Sequence, residues 1–292
     1  MIFTEYNNDG IYNEIKFVGL FDGKKVRDMN KSLRELLLKL FGPLTGEEYI
    51  ECWKSKFNEK ADIKIRINGD IKGISIKMGE SNSIHQEHLT SITNYLLNIG
   101  VNNATVNKLA DYIIGDINGK RVDAATYKKL KKEDIIEIKK ALSDLYIKVS
   151  LIIRFLFKGK ESELYDADAI IHGTPNKFLW ATKSEVLKYL IDYPDGDTIN
   201  VKVGPLFIQS RNRNLKRKEA AKIDENYIQV KWYNIEKDLY FITKKRENSK
   251  KYDLVVEEGV EETTIVEVVN HRQPDLTIRK VDKKDPDKGL AG

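Results

Sequence analysis

The sequence has only one cysteine, Cys52, among its 292 residues. A single cysteine excludes a disulfide within the chain, and it excludes zinc sites and iron–sulfur clusters that are built from several cysteine ligands. Because structural disulfides belong mainly to oxidising compartments, their absence favours a reducing one. We therefore expect a cytoplasmic protein.

Long hydrophobic runs are also lacking. No apolar run reaches the roughly 18 residues of a membrane span, and the longest, 149–157, is interrupted by Ser150 and Arg154. The N-terminal sequence MIFTEYNNDG has no basic region leading into an apolar segment, so no secretory signal is expected. The chain has no internal repeat and no long linker rich in Pro, Gly or Ser.

Charged residues are plentiful but unevenly placed. Hydrophobic residues make up 41% of the chain and charged residues 33%, which is typical of a globular rather than a disordered protein. The net charge is +5. Residues 201–250 contain 13 Lys and Arg against 6 Asp and Glu, whereas residues 251–292 contain 7 against 10. The basic segment indicates either a nucleic-acid partner or an ordinary solvated surface.

Strand-like and helix-like segments are mixed along the chain, which predicts an α/β or α+β fold. Apolar residues recur at helical spacing in 29–41 and 83–99, and a helical insertion is expected at about 101–160. We expect a main domain over residues 1–250 and an acidic C-terminal segment over 251–292. The end of that segment is expected to be disordered.

The most informative segment is a predicted β-hairpin around Asn68-Gly69. Asn-Gly between alternating strands indicates a type I′ turn, because both central residues need positive φ angles. The predicted facing pairs are Ile67 with Asp70, Ile65 with Lys72, Ile63 with Ile74, and Asp62 with Ser75.

The two faces of this hairpin differ in character. Because facing residues share a face, one face carries five isoleucines: Ile63, Ile65, Ile67, Ile74 and Ile76. The other face is polar and carries Asp62, Lys64, Arg66, Ser75 and Lys77. On it, Lys77 is the diagonal neighbour of Asp62, at a distance of roughly 7–8 Å.

An acid and an amine on one face of adjacent strands are the central groups of a metal-dependent phosphodiesterase site. In such a site the carboxylate of Asp62 holds a divalent cation. The ammonium group of Lys77 stabilises the charge that develops on the phosphate or orients the attacking water. An amphipathic hairpin whose polar face meets solvent explains the same pattern, and Lys64 and Arg66 fit that explanation equally well.

The spacing of Asp62 and Ser75-Ile76-Lys77 resembles the PD-(D/E)xK motif of restriction-endonuclease-like nucleases. Ala61 stands in place of the proline, and Ser75 stands in place of the second acidic residue. A variant within this fold keeps Ser-x-Lys and takes its carboxylate from the helix that follows, where Glu87 is the matching residue. The resemblance covers residues 62–87 clearly and the remainder only by element order.

The resemblance implies a mixed central sheet flanked by helices. It also implies Mg²⁺ held by Asp62, Glu87 and the backbone carbonyl of Ile76, with Lys77 assisting the attack of water on phosphorus. Glu35, on an upstream helix, is an implied accessory acid, although the residue itself is better explained as an ordinary surface glutamate. Enzymes of this kind commonly cut both DNA strands as homodimers.

The segment after the hairpin is predicted to be a helix over 83–99. Ser83 and Gln86 match a capping box, so Ser83 is the expected N-cap. On this helix, Glu87 lies roughly opposite the apolar stripe, facing either solvent or an active-site cleft. The sequence HQEH does not match the H-E-x-x-H zinc pattern, so we favour a core or accessory role for His85 over a zinc site.

The basic second half carries the expected DNA contacts. Arg and Lys neutralise phosphates, and Gln provides a forked amide for base edges. The candidate residues are Gln209, Arg211, Arg213, Lys216, Arg217, Lys218, Gln229 and Lys231. Aromatic residues near them are interpreted as core residues rather than stacking groups.

These observations favour a Mg²⁺-dependent endonuclease that acts on DNA, similar to type II restriction enzymes or related phage-defence nucleases. Three alternatives stay open. A binding module of the same fold without catalysis would bind DNA equally in Mg²⁺ and in EDTA. An RNA-directed nuclease would cut RNA but not duplex DNA, and an unrelated scaffold would show no salt-dependent binding of nucleic acid.

Overall fold

A computed structural model describes residues 9–56, 59–79, 82–159, 166–194, 200–209, 227–256, 268–270 and 276–278. The chain divides into two compact units, Met1–Lys245 and Arg246–Gly292. Part of the predicted DNA contact lies outside the described residues and stays a prediction: Arg211, Arg213, Lys216, Arg217 and Lys218.

The helices of the described residues are α1 (Asp9–Phe21), α2 (Lys31–Phe41), α3 (Leu89–Asn98), α4 (Asn103–Ile114), α5 (Ala124–Leu130), α6 (Lys132–Leu142), α7 (Leu145–Ile153), α8 (Lys183–Ile191) and α9 (Ile235–Val256). A 3₁₀ turn (Val26–Asp28) precedes α2, and a π-helix (Arg154–Lys158) extends α7. Over this part of the chain, every helix is too short or too polar to cross a lipid bilayer.

The strands are β1 (Glu51–Lys54), β2 (Ile63–Ile67), β3 (Asp70–Lys77), β4 (Asn82–His88), β5 (Asp116–Ile117), β6 (Lys120–Arg121), β7 (Ala169–Thr174), β8 (Lys177–Thr182), β9 (Lys202–Val203), β10 (Leu206–Gln209), β11 (Tyr227–Trp232), β12 (Val268–Asn270) and β13 (Leu276–Ile278). The last two form a short antiparallel pair within the second unit.

The central sheet of the first unit has five strands in the order β1-β2-β3-β7-β8. The pair β3–β7 is parallel, and the other pairs are antiparallel. The β7 sequence AIIHGT begins with a continuous apolar run, as expected of a strand that is covered on both faces. The prediction of an α+β fold with a mixed central sheet flanked by helices is confirmed.

The β2–β3 hairpin has the predicted register, with Ile63 paired to Ile74 and Ile67 paired to Asp70. Asn68 and Gly69 have φ angles of 51° and 91°, as a type I′ turn requires. The isoleucine face is buried as predicted, where it packs with apolar residues of α1 and α2: Phe17, Phe21, Leu33, Leu36 and Leu37. This packing fixes which face of the hairpin carries Asp62 and Lys77.

A second, four-stranded antiparallel sheet has the order β4-β11-β10-β9. The prediction of a helix over 83–99 is therefore wrong for its first six residues. Residues Asn82–His88 form strand β4, and α3 begins at Leu89 with His88 as its N-cap. Pairing with β11, which is remote in sequence, outweighs the local capping-box signal of Ser83 and Gln86.

Candidate functional site

The acid and the amine that were predicted to share a face are in direct contact. Asp62 lies immediately before β2, and Lys77 is the last residue of β3. The Lys77 Nζ atom donates a hydrogen bond to Asp62 Oδ2 at 3.1 Å. The Ser75 hydroxyl donates to the same oxygen at 3.0 Å, and the Ile76 backbone N–H donates to it at 2.6 Å. Three donors therefore converge on one carboxylate oxygen.

The backbone explains why these groups meet. The Asp62 N–H donates to the Ile74 carbonyl at 2.9 Å, which continues the hairpin ladder one residue beyond β2. Alternate residues of a strand direct their backbone groups to the same edge. Ile76 therefore presents both its N–H and its carbonyl toward the edge where the side chain of Asp62 lies.

His172 lies beside Lys77 on the other edge of β3. The parallel register pairs Lys77 with His172, so both side chains leave the sheet on the same face. His172 is buried, and its Nε2 atom lies 3.1 Å from the carbonyl oxygen of Gly79. His172 could not be predicted as a neighbour of Lys77, because local sequence patterns do not reveal parallel pairing between distant strands.

Lys60, a second residue that was not predicted, lies near this site, two residues before Asp62. Its ammonium group donates to the carbonyl oxygens of Ile84 and Phe155, which joins the hairpin to β4 and to the π-helix. Burial and the nearby charge of Lys77 lower the pKa of Lys60 to about 7, although Asp62 and Glu87 oppose this shift. Lysine is ordinarily an exposed residue, so nothing in the sequence separated Lys60 from the many surface lysines of this chain.

Glu87 is completely buried on β4 instead of lying on a helix. Arg154 binds it with both arms of its guanidinium group, from Nε to Oε1 at 2.9 Å and from Nη2 to Oε2 at 2.6 Å. The His85 Nε2 atom lies 2.8 Å from Oε1. Burial alone would raise the pKa of Glu87, but the bonds from His85 and Arg154 outweigh burial and lower it to about 2.

The remaining predicted residues lie on other elements. Glu35 is on α2, which packs on the isoleucine face of the hairpin, whereas Asp62 and Lys77 lie on the opposite face. Gln209, Gln229 and Lys231 lie on the second sheet, on β10 and β11. The functional roles of all these residues stay predictions.

Few protein groups that could bind a metal ion lie at this site. Within the described residues, no group of three or more His, Cys, Asp and Glu side chains is placed to hold a metal ion. Mg²⁺ commonly keeps several waters and binds through one or two carboxylates together with substrate phosphates. The partly exposed Asp62 carboxylate and the Ile76 carbonyl are oxygen donors at one edge of β3, and they fit this mode of binding.

Comparisons with known proteins identify the fold. No protein-family model matches the chain, and no curated protein matches its sequence. Among solved structures, restriction endonuclease MspI in complex with its cognate DNA is similar, with a TM-score of 0.53 and 12% sequence identity. The match covers 78% of this chain and 93% of that one. The chain therefore has a restriction-endonuclease-like fold.

Proposed function

We propose that this protein is a Mg²⁺-dependent endonuclease that hydrolyses phosphodiester bonds in DNA. The observation that carries the proposal is the convergence of Ser75, Ile76 and Lys77 on Asp62 Oδ2 at the end of the β2–β3 hairpin. The fold similarity to a restriction endonuclease that binds DNA supports the same conclusion. Cutting of both strands by a homodimer, a role in a restriction system and a cytoplasmic location belong to the proposal.

In this mechanism, Asp62 and the Ile76 carbonyl would hold a Mg²⁺ ion. A bound Mg²⁺ would activate water and offset phosphate charge. The Lys77 ammonium group, positioned by Asp62, donates a hydrogen bond to a phosphate oxygen and stabilises the negative charge of the transition state. The Ser75 hydroxyl orients the Asp62 carboxylate, which gives this residue a role that does not require a second acid.

Glu87 is not included in this ligand set. Both of its oxygens accept hydrogen bonds from Arg154, and its side chain has no exposed surface. An ion that reached Glu87 would have to displace the guanidinium group of Arg154. We therefore assign Glu87 to the support of β4 and assign the ion to Asp62.

Plasmid cleavage tests the proposal. We compare the wild type with Asp62→Ala and Lys77→Ala, in Mg²⁺ and in EDTA. The matched controls are Asp134→Ala and Lys108→Ala, which remove an ion pair of similar length, 3.3 Å, from α4 and α6. We expect the wild type and the controls to cut in Mg²⁺ alone, and each site variant to lose about a hundredfold to a thousandfold in rate.

Two outcomes would contradict the proposal. Cutting in EDTA would exclude the metal, and equal cutting by the wild type and both site variants would place the reaction elsewhere. Parallel assays on single-stranded and duplex RNA test the substrate. Faster cutting of RNA than of DNA would replace DNA by RNA as the target.

A further inference from the structure

Strand β4 follows the β2–β3 hairpin closely in sequence, and its pairing with β11 contains a bulge. The register shifts between Val230 and Lys231 of β11, which leaves Ile84 of β4 without a partner residue on that strand. A bulge locally disrupts the hydrogen-bond ladder of a strand pair, and bulges are frequent next to active sites. The carbonyl oxygen of Ile84 accepts a hydrogen bond from the ammonium group of Lys60 at 2.7 Å.

Lys60 also binds a second irregular element, the π-helix Arg154–Lys158. Its Nζ atom donates to the carbonyl oxygen of Phe155 in that helix. The last carbonyl groups of a helix lack the partners that a continuing helix would provide, and a lysine side chain can donate to them. Short π-helical segments are rare and are frequent at functional sites. One ammonium group therefore joins a bulge and a π-helix that are remote in sequence.

The position of Lys60 connects this junction to the candidate active site. Lys60 lies two residues before Asp62, and Ala61 between them is buried. On the hairpin side, the Asp62 N–H donates to the Ile74 carbonyl at 2.9 Å. On the preceding side, the chain is held by the two hydrogen bonds of Lys60. The backbone of Asp62 is therefore fixed from both directions along the chain.

The contacts of the Asp62 side chain depend on where this backbone lies. The Asp62 Oδ2 atom accepts from the Ile76 N–H at 2.6 Å and from the Lys77 Nζ atom at 3.1 Å. Hydrogen bonds weaken steeply when their geometry departs from the ideal. A shift of the segment before β2 by about 1 Å would disturb both bonds, and a misplacement of that size can cost about a hundredfold in rate.

We propose that Lys60 is a positioning residue of the endonuclease site. Its ammonium group fixes the segment before β2 against β4 and the π-helix, and this holds the Asp62 carboxylate where Ile76 and Lys77 bind it. Lys60 acts through Asp62 and does not touch the reacting atoms. The inference rests on the proposed function, because it assigns Lys60 to the same reaction. It also has a consequence that needs no DNA, since loss of the Lys60 ammonium group should weaken the bond between Ile76 and Asp62.

Hydrogen exchange of the Ile76 amide tests this consequence directly. It is followed by NMR in metal-free buffer on the full chain labelled with ¹⁵N-isoleucine, and the Ile65 amide in β2 reports global opening. Lys60→Met keeps a side chain of similar length but removes the donors. The matched control Lys148→Met removes another lysine that donates to a backbone carbonyl, that of Tyr193, at 3.0 Å. We expect Ile76 exchange to become about tenfold faster in Lys60→Met alone, with Ile65 unchanged.

Cleavage kinetics separate positioning from DNA binding. In Lys60→Met we expect kcat for plasmid cleavage in Mg²⁺ to fall about tenfold to a hundredfold. The KM for DNA should stay within about twofold, because the lost interaction supports the reacting groups rather than the bound substrate. Lys60→Ala, prepared in n-propylammonium, gives a second variant in which this ion replaces the missing donors. n-Propylammonium should restore part of the rate, whereas tetramethylammonium, which has the charge but no donor, should restore none.

Three results would overturn the inference: unchanged kcat in Lys60→Met, equal losses in Lys148→Met, and equal rescue by the two ammonium ions. Its failure can be distinguished from that of the proposed function. A wild type that does not cut DNA, together with faster Ile76 exchange in Lys60→Met, would contradict only the endonuclease. A wild type that cuts in Mg²⁺, together with unchanged Ile76 exchange and kcat in Lys60→Met, would contradict only the role of Lys60.

Discussion

Two carboxylates of the first unit, Asp62 and Glu87, bind a basic side chain in very different surroundings. The Asp62 side chain is 23% exposed, and a single oxygen receives its three described hydrogen bonds. The Glu87 side chain has no exposed surface, and both its oxygens are bound. Asp62 can therefore exchange partners at the surface, whereas Glu87 holds β4 against the π-helix.

The comparison shows that two acidic residues of the predicted site differ in their access to solvent and in how fully their oxygens are bound. A buried ion pair is strongly disturbed when one partner is lost, because the remaining charge stays in a medium that solvates it poorly. A partly exposed pair loses little, since water solvates the group that remains. We therefore expect substitutions at Glu87 to lower stability more than substitutions at Asp62. Substitutions at Asp62 should lower activity more than substitutions at Glu87.

The largest expected effect on stability is that of Glu87→Gln. This change leaves the Arg154 guanidinium group buried without its counter-charge, so we expect a loss of about 3–5 kcal/mol in the free energy of unfolding. Urea denaturation followed by circular dichroism measures it. The control is Glu51→Gln, at an exposed pair with Arg66, which should cost less than about 1 kcal/mol. Equal losses of stability in Glu87→Gln and Glu51→Gln would show that the buried pair contributes no more to stability than the exposed one.

Replacing both partners of the buried pair should restore part of this loss. In Glu87→Met with Arg154→Met no charge of the pair is left, and the two methionines fill much of the space. We expect the double variant to be more stable than either single variant by about 1–4 kcal/mol. Additive losses in a double-mutant cycle would show that the two side chains are not coupled.

Acid should weaken the buried site in a defined pH range. Hydrogen bonds lower the pKa of Glu87 from 4.5 to about 2 in the folded protein, despite burial. Its contribution to stability is therefore complete above pH 4.5 and is lost as the pH falls toward 2. Denaturation midpoints across this range should fall for the wild type and fall less for Glu87→Gln. Parallel decreases would mean that other groups dominate acid unfolding.

The smallest expected effect on stability is that of Asp62→Asn. Since the pair with Lys77 is partly exposed, we expect a change within about 1 kcal/mol at pH 7. DNA cleavage by the same sample should nevertheless be lost. A destabilisation as large as that of Glu87→Gln would indicate that Asp62 is mainly a structural residue.

The hairpin could be predicted from sequence because its determinants are local. The turn at Asn68-Gly69 fixes the register, and the alternating isoleucines fix the faces, so the contact between Asp62 and Lys77 followed. The strand β4 could not be found in this way. Its sequence matches a helix start, and only the distant partner β11 makes an extended backbone favourable.

Two polar residues, one buried and one half-buried, were missed for a related reason. Arg154 and Lys60 look like ordinary surface residues in the sequence, and their roles depend on elements that are remote along the chain. Arg154 reaches Glu87 across 67 positions, and Lys60 reaches the Phe155 carbonyl across 95.

Gly73 lies in the middle of β3, where the surrounding backbone leaves no room for a side chain. A Cβ atom there would lie 2.3 Å from the Asp166 carbonyl oxygen and 2.7 Å from the Ala61 side chain. The Gly73 carbonyl also accepts a hydrogen bond from Asp168, just before β7. Any larger residue would push away the segment that precedes β7. Because β7 pairs with β3, this shift would misalign Lys77 and His172. Saturation mutagenesis of this codon should therefore recover active clones that encode glycine alone.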